Sequence, residues 1–90
     1  MLEELKKRLK ISWNDEDDNL QRSIEAGKEY LESIAGTTLD FVGSSFNMAL
    51  LFEYCRYDYN NAVEYFEINF SKQLIQLQIQ SVVKEDVWWF

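Results

Sequence analysis

The chain has no histidine, no proline, one cysteine and three glycines. Each scarcity removes a class of chemistry. Without histidine there is no common general base at neutral pH and no imidazole to ligate a metal. One cysteine, Cys55, can form no internal disulfide and no thiolate zinc site. As a nucleophile it would lack an activating imidazole. The better reading is a small buried core residue in a reducing compartment. Gly27, Gly36 and Gly43 are scattered, so no glycine-rich phosphate loop is present. Cations are also short: 9 Lys and Arg stand against 16 Asp and Glu, a net charge of −7. Non-specific nucleic-acid binding draws on cationic side chains, so composition argues against a simple DNA binder and against an anionic membrane surface. Long apolar runs are missing too. The longest, Met48 to Phe52, has five residues, whereas a membrane helix needs roughly 20. The opening MLEELKKRLK lacks the apolar core of a secretory signal. These features lead to the expectation of a soluble protein made inside a cell.

Apolar residues are plentiful by contrast, at 47% of the chain, with 16% aromatic. Ninety residues suit one domain. A chain of this size hides only about 60–65% of its unfolded surface. The aromatic content therefore exceeds what a small core needs and points to a protein interface.

Periodicity predicts an all-α fold, a small bundle of about four helices. The first spans Leu2–Leu9, with Leu2, Leu5 and Leu9 on one face. Glu3 and Glu4 lie early and Lys6, Lys7 and Arg8 late, matching the macrodipole. The second runs from Asp15 to Ala35, capped by Asn14 or Asp15, with the stripe Leu20, Ile24, Gly27, Leu31 and Ile34. Gly27 within that stripe predicts a close neighbouring helix or ring. Gly36 is placed to end the helix in the left-handed conformation. The acidic run Asp15–Asp18 does not make a calcium loop. Counted from Asp15, Leu20 and Ala26 occupy the positions that need glycine and glutamate. It reads as a solvated helix start.

After a connector at Thr37–Ser44, a third helix at Ser45–Tyr59 and a fourth at Asn61–Gln80 are expected to form an antiparallel hairpin. The fourth carries two apolar stripes. Val63, Phe66, Phe70, Leu74 and Leu77 make one; Tyr65, Ile68, Ile75 and Ile79 make the other. A helix apolar on two faces must touch two things, and one of them can be a neighbouring subunit. The chain thus divides into a helical domain at 1–80 and a C-terminal aromatic tail at 81–90. Candidate subunit or partner contacts are Arg56, Tyr57, Tyr59 and Tyr65 around the hairpin, and Trp88, Trp89 and Phe90 in the tail. Tyrosine and arginine are favoured in binding hot spots. Packing within the chain is the alternative for each.

The layout resembles the gp6-like head–tail connector family of tailed bacteriophages, also described as DNA-packaging connectors. The resemblance rests on "LEELKKRLKI", the acidic "NDEDDNLQRSIEAGKEYLESIAG", "NMALLFEYCRYDYNNAVEYF" and "LIQLQIQ", over residues 2–80. It implies a non-enzymatic helical protein without cofactor, catalytic residue or metal. It implies a ring, commonly of about twelve copies with closed symmetry, that docks beneath the portal protein. The ring receives a downstream neck, stopper or tail protein and extends the channel through which DNA passes without specific binding. It further implies residence in the virion neck, after synthesis in the host bacterial cytoplasm, with no membrane partner. An acidic balance suits a conduit, since like charge keeps phosphates off its wall.

Other readings compete with this one. A small acidic phage protein could inhibit a basic host protein or mimic DNA; its acids would form one continuous face. A helix-turn-helix regulator would need a basic recognition helix, and neither long helix supplies one. An enzyme would need chemical groups that the composition lacks.

Overall fold

A computed structural model describes the backbone of residues 1–86 and the side chains of residues 1–81. The order is α1 (Leu2–Leu9), α2 (Asp17–Ala35), α3 (Ser45–Tyr59), a 3-10 turn (Val63–Tyr65), α4 (Phe66–Asn69) and α5 (Ser71–Asp86). The all-α expectation holds, and among the described residues there is no strand.

The central pair is α2 against α3, running antiparallel. Leu20, Ile24, Gly27 and Leu31 face inward from α2, and Leu50, Leu51 and Cys55 meet them from α3. Gly27 permits this approach, as its place in the stripe predicted. A Cβ there would lie 2.7 Å from Leu51 Cδ1 and 2.9 Å from Tyr54 Cδ1. Ser23 Oγ donates to the Asp58 carboxylate across the same pair. Gly36 ends α2 at φ 75°, in the left-handed region reserved for it. Ser44 caps α3, its hydroxyl accepting from the Asn47 amide at 3.2 Å.

The start of α2 differs from expectation. The helix begins at Asp17, and neither Asn14 nor Asp15 caps it. The polar side chains nearby are engaged elsewhere. Asn14 Oδ1 accepts from Lys6 Nζ at 2.7 Å. Glu16 sits at the cap position, but its Oε2 accepts from Trp13 Nε1 at 3.0 Å and from the Tyr59 hydroxyl at 2.8 Å. Lys6 is itself buried at 5% exposure, with its ammonium 2.8 Å from Asp17 Oδ1. One cation thus ties α1 to both the segment joining it to α2 and the first turn of α2. Burying it is tolerable only because it is paired and hydrogen-bonded.

The expected fourth helix at Asn61–Gln80 is not continuous. Asn61 turns the chain at φ 55°. A 3-10 turn and the single turn of α4 follow, and the backbone leaves helical geometry at Phe70 (φ −115°, ψ 23°) before α5 begins. The break lets two segments bury against two partners. Phe66, at 1% exposure, and Phe70 fold onto α3. Leu74 and Leu77 bury on α5, which packs against α2. The antiparallel hairpin with α3 is therefore confined to the turn and α4. The closing helix also runs past Gln80 to Asp86.

The described chain measures 51 × 25 × 16 Å, with a Cα radius of gyration of 14.0 Å. A compact chain of this length would come to about 12 Å. A thin, long slab keeps more side chains at its surface than a sphere does.

Candidate interaction surface

The aromatic residues that the sequence offered for contact fall into two groups. The first is held inside the chain. Phe66 is the hub, with ring centroids 5.5 Å from Tyr54, 5.8 Å from Tyr57, 6.0 Å from Tyr30 and 5.0 Å from Phe70. Edge-to-face and offset pairs of this kind add to the apolar burial itself. Tyr57 also packs edge-on against Phe70, and its hydroxyl accepts from Asn69 Nδ2 at 3.0 Å. Tyr59 donates to Glu16, so it pins the end of α3 to the start of α2. Both are half-buried.

The second group faces solvent. Arg56 is exposed, with Nη1 3.4 Å from Glu53 Oε1; Arg8 Nη2 reaches the other oxygen of Glu53 at 3.2 Å. Such exposed pairs contribute less than about 1 kcal/mol, so Arg56 is held only lightly. Tyr65 is 55% exposed. Trp88, Trp89 and Phe90 lie outside the described residues.

Three further residues join Tyr65 at the surface, and the candidate contacts chosen from sequence did not include them. Ile68 is 69% exposed, Ile75 54% and Ile79 57%. The signal was present, since these are the remaining members of the second stripe. The first stripe is the inner one: Phe66, Leu74 and Leu77 are buried and Val63 and Phe70 half-buried. The outer face of α5 pairs Ile75 and Ile79 with exposed Gln76, Gln78 and Gln80. No charged residue lies between Lys72 and Lys84.

Charge collects elsewhere. Asp18, Glu25 and Glu29 are exposed along one side of α2, spaced by seven and four residues. Lys7, Arg8 and Lys10 are exposed on and just after α1, with Arg56 close to Arg8 and Lys10.

Among the described residues, Cys55, Tyr30, Tyr54 and Tyr59 are shifted upward by their surroundings. Burial pushes the Cys55 thiol up to about 12, with Asp58 adding to the effect. The thiolate is thereby disfavoured, and Cys55 is the buried core residue expected of it. Burial likewise raises Tyr30 to about 12, aided by Glu67, whose Oε2 accepts its hydroxyl at 3.2 Å. Tyr54 is raised by burial and then by Asp58. Tyr59 is raised chiefly by its hydrogen bond to Glu16. Among the described residues no group of three or more His, Cys, Asp or Glu is arranged to hold a metal ion. No described helix is long and apolar enough to cross a membrane.

Exposed apolar side chains on α4 and α5 are thus the chief feature outside the core among the described residues. A family model described as phage gp6-like head-tail connector protein matches residues 1–87. The chain belongs to that family. No curated protein and no solved structure matches it significantly. The match takes in the whole of α5, beyond the residues on which the resemblance was first drawn. As a head–tail connector the chain is a structural phage protein of the virion, and its work is contact with other head and tail proteins.

Proposed function

We propose that this connector closes into a ring beneath the portal, with about twelve copies related by cyclic symmetry, and extends the DNA channel toward the tail. The ring receives a neck, stopper or tail protein on its far side. It is assembled into the virion neck after synthesis in the host bacterial cytoplasm. The protein has no enzymatic role, needs no cofactor and passes DNA without binding it specifically. The observation that carries this reading is the family match over residues 1–87. The exposed apolar residues of α4 and α5 support self-association, because a monomer has no use for them.

Candidate contacts in this reading are Arg56 and Tyr65, both exposed, with Tyr57 and Tyr59 in supporting positions. Trp88, Trp89 and Phe90, in the tail at 81–90, are proposed to clamp a neighbour or the portal. The carboxylates on the outer side of α2, Asp18, Glu25 and Glu29, are proposed to face the lumen, where like charge repels phosphate.

Mixing the purified chain with portal rings and weighing the product by native mass spectrometry tests the proposal. The expected product is one portal carrying a full complement of connector copies. A portal that gains no mass at any connector concentration refutes it. Removing residues 84–90 should weaken the clamp; unchanged assembly of the truncated chain would exclude that role for the tail.

A further inference from the structure

A cleft of about 520 Å³ lies between the connector after α2 and the last described turns of α5. Leu39 and Leu77 give it an apolar lining, Leu77 buried and Leu39 half-buried. Thr38, Asp40, Asn47 and Gln80 bring polar groups to it. Tryptophan suits such a mixed lining, because it joins a large apolar body to one N–H donor. Asp40 is placed to accept that donor. Its Oδ1 accepts from the Gly43 amide at 2.8 Å, and its other oxygen can accept from an indole, as Glu16 does from Trp13 at 3.0 Å. Val87, Trp88, Trp89 and Phe90 are all apolar, and moving such surface out of water is favourable. Reach selects this cleft for them. α5 is described to Asp86, roughly 7.5 Å past Ser81 on the helix axis. Trp88 and Trp89 follow Asp86 closely in sequence. At about 3.3 Å per extended residue they can return roughly 7–10 Å, to the level of Ser81 and Gln80. Another cleft, beside Leu74 and Ile75, is too distant. Ile75 lies roughly 16 Å before Asp86 along the helix.

We infer that in the free chain the segment after Asp86 turns back and packs Trp88 and Trp89 into this cleft. The occupant is the chain's own tail, and the contact joins the end of α5 to the connector between α2 and α3. The tail is then covered until a partner draws it out. A clamp on a neighbour or on the portal must first leave the cleft, so partner binding competes with an internal contact. That consequence rests on the clamp reading; the packing itself does not. The family match ends at residue 87, so both tryptophans lie beyond the matched part of the chain.

Tryptophan fluorescence of the full chain tests it. Trp13→Phe removes the tryptophan outside the tail, so emission then reports Trp88 and Trp89. A synthetic peptide of residues 82–90 is the solvated reference. In dilute chain shown to be monomeric by sedimentation velocity, the tail should emit at shorter wavelength than the peptide. Acrylamide should quench it roughly half as strongly, since a docked ring turns one face away from water. Two blocking variants in the same background, T38R and Q80R, place a long side chain in the cleft from opposite walls. Both positions are exposed, so far-UV circular dichroism should match the unblocked chain. Each block should return emission and quenching to the values of the peptide. Quenching of the unblocked chain as strong as that of the peptide would overturn the packing. Protection that survives both blocks would overturn it too, because the tail would then pack elsewhere. So would protection that appears only as the chain self-associates, which would assign the tail to a second copy. None of these outcomes bears on the ring reading, which the portal mixture decides.

Discussion

Gly27 offers the sharpest check on how closely α2 and α3 approach. In an exposed helix, glycine to alanine stabilises by about 1 kcal/mol. Here the new Cβ would sit 2.7 Å from Leu51 Cδ1 and 2.9 Å from Tyr54 Cδ1. Carbon pairs prefer about 3.5–4.0 Å, so both neighbours must retreat by more than half an ångström. Neither has room. Leu51 is fully buried, and the Tyr54 ring is packed against Tyr30 and Phe66. Overpacking of this kind costs about 1–3 kcal/mol. Set against the helical gain, Gly27→Ala should destabilise by about 1 kcal/mol, and a bulkier Gly27→Val by more. The assay is urea unfolding followed by circular dichroism, with stability read from the midpoint at constant slope. A double-mutant cycle isolates the cause. Leu51→Ala alone should cost about 2–4 kcal/mol. It also vacates the nearer of the two clashing positions, so the double variant should be more stable than the sum of the single effects by about 1 kcal/mol. If Gly27→Ala instead stabilises by its full helical gain and the cycle is additive, the helices are not in contact at this residue.

Other perturbations probe other joints of the fold. Lys6→Met removes the cation shared by Asn14 and Asp17; with Asp17 about a third exposed, the loss should be about 2 kcal/mol in urea unfolding, and a change below about 0.5 kcal/mol would exclude a structural role for the pair. Lys10 ends α1 at φ 60°, so Lys10→Gly should stabilise by roughly 1 kcal/mol, whereas a loss would mean that its side chain makes contacts of greater value. Cys55 and Tyr30 are both raised to about 12 in the folded chain from ordinary values of 9.0 and 10.0. The unfolded chain therefore releases their protons first as pH rises, so their stabilisation is intact below about pH 9 and is lost progressively toward pH 12. Urea midpoints measured across that window should fall, and a flat profile would contradict the burial of both groups. At neutral pH a thiol reagent should label Cys55 only as fast as the chain opens, and rapid labelling of the folded protein would do the same.

The helical order could be read from spacing because most of these helices bury one clear stripe. α1 and α3 have the predicted bounds, and Gly27 and Gly36 carry the roles their positions implied. The break at Phe70 was not legible, because no proline or glycine marks it. It arises from tertiary demand: the Phe66 and Phe70 rings must fill the space beside Tyr57 while Leu74 and Leu77 bury on a different helix. The cap of α2 was misread for a related reason. Asn14 and Asp15 are good cap residues locally, but Lys6 reaches Asn14 from α1, and the cap position falls to Glu16, whose carboxylate accepts from Trp13 and Tyr59. At the candidate surface, composition favoured the tyrosines, yet Tyr57 and Tyr59 have partners within the chain. The second stripe was the better guide to exposure, since periodicity reports faces whereas residue type alone does not.

That stripe also bears on the stability of α5. Among the described residues the helix is held from one side, through Leu74, Leu77 and Ser81. A helix of its 16 residues is marginal in water without such packing, and its outer isoleucines are more than half exposed in the isolated chain. Local opening should therefore take less free energy in α5 than in α2 or α3, and its amides should exchange with solvent sooner. Any partner on the outer face binds the closed helix and not the open one, so it slows exchange by mass action, by about 2.7 kcal/mol at a hundredfold excess over the dissociation constant. Protection of α5 should consequently rise with chain concentration, while that of the α2–α3 pair stays level. If α5 in a dilute monomeric sample already exchanges as slowly as α2, its inner face alone is sufficient to hold it. The exposed isoleucines would then have no stabilising work left for a second copy to perform.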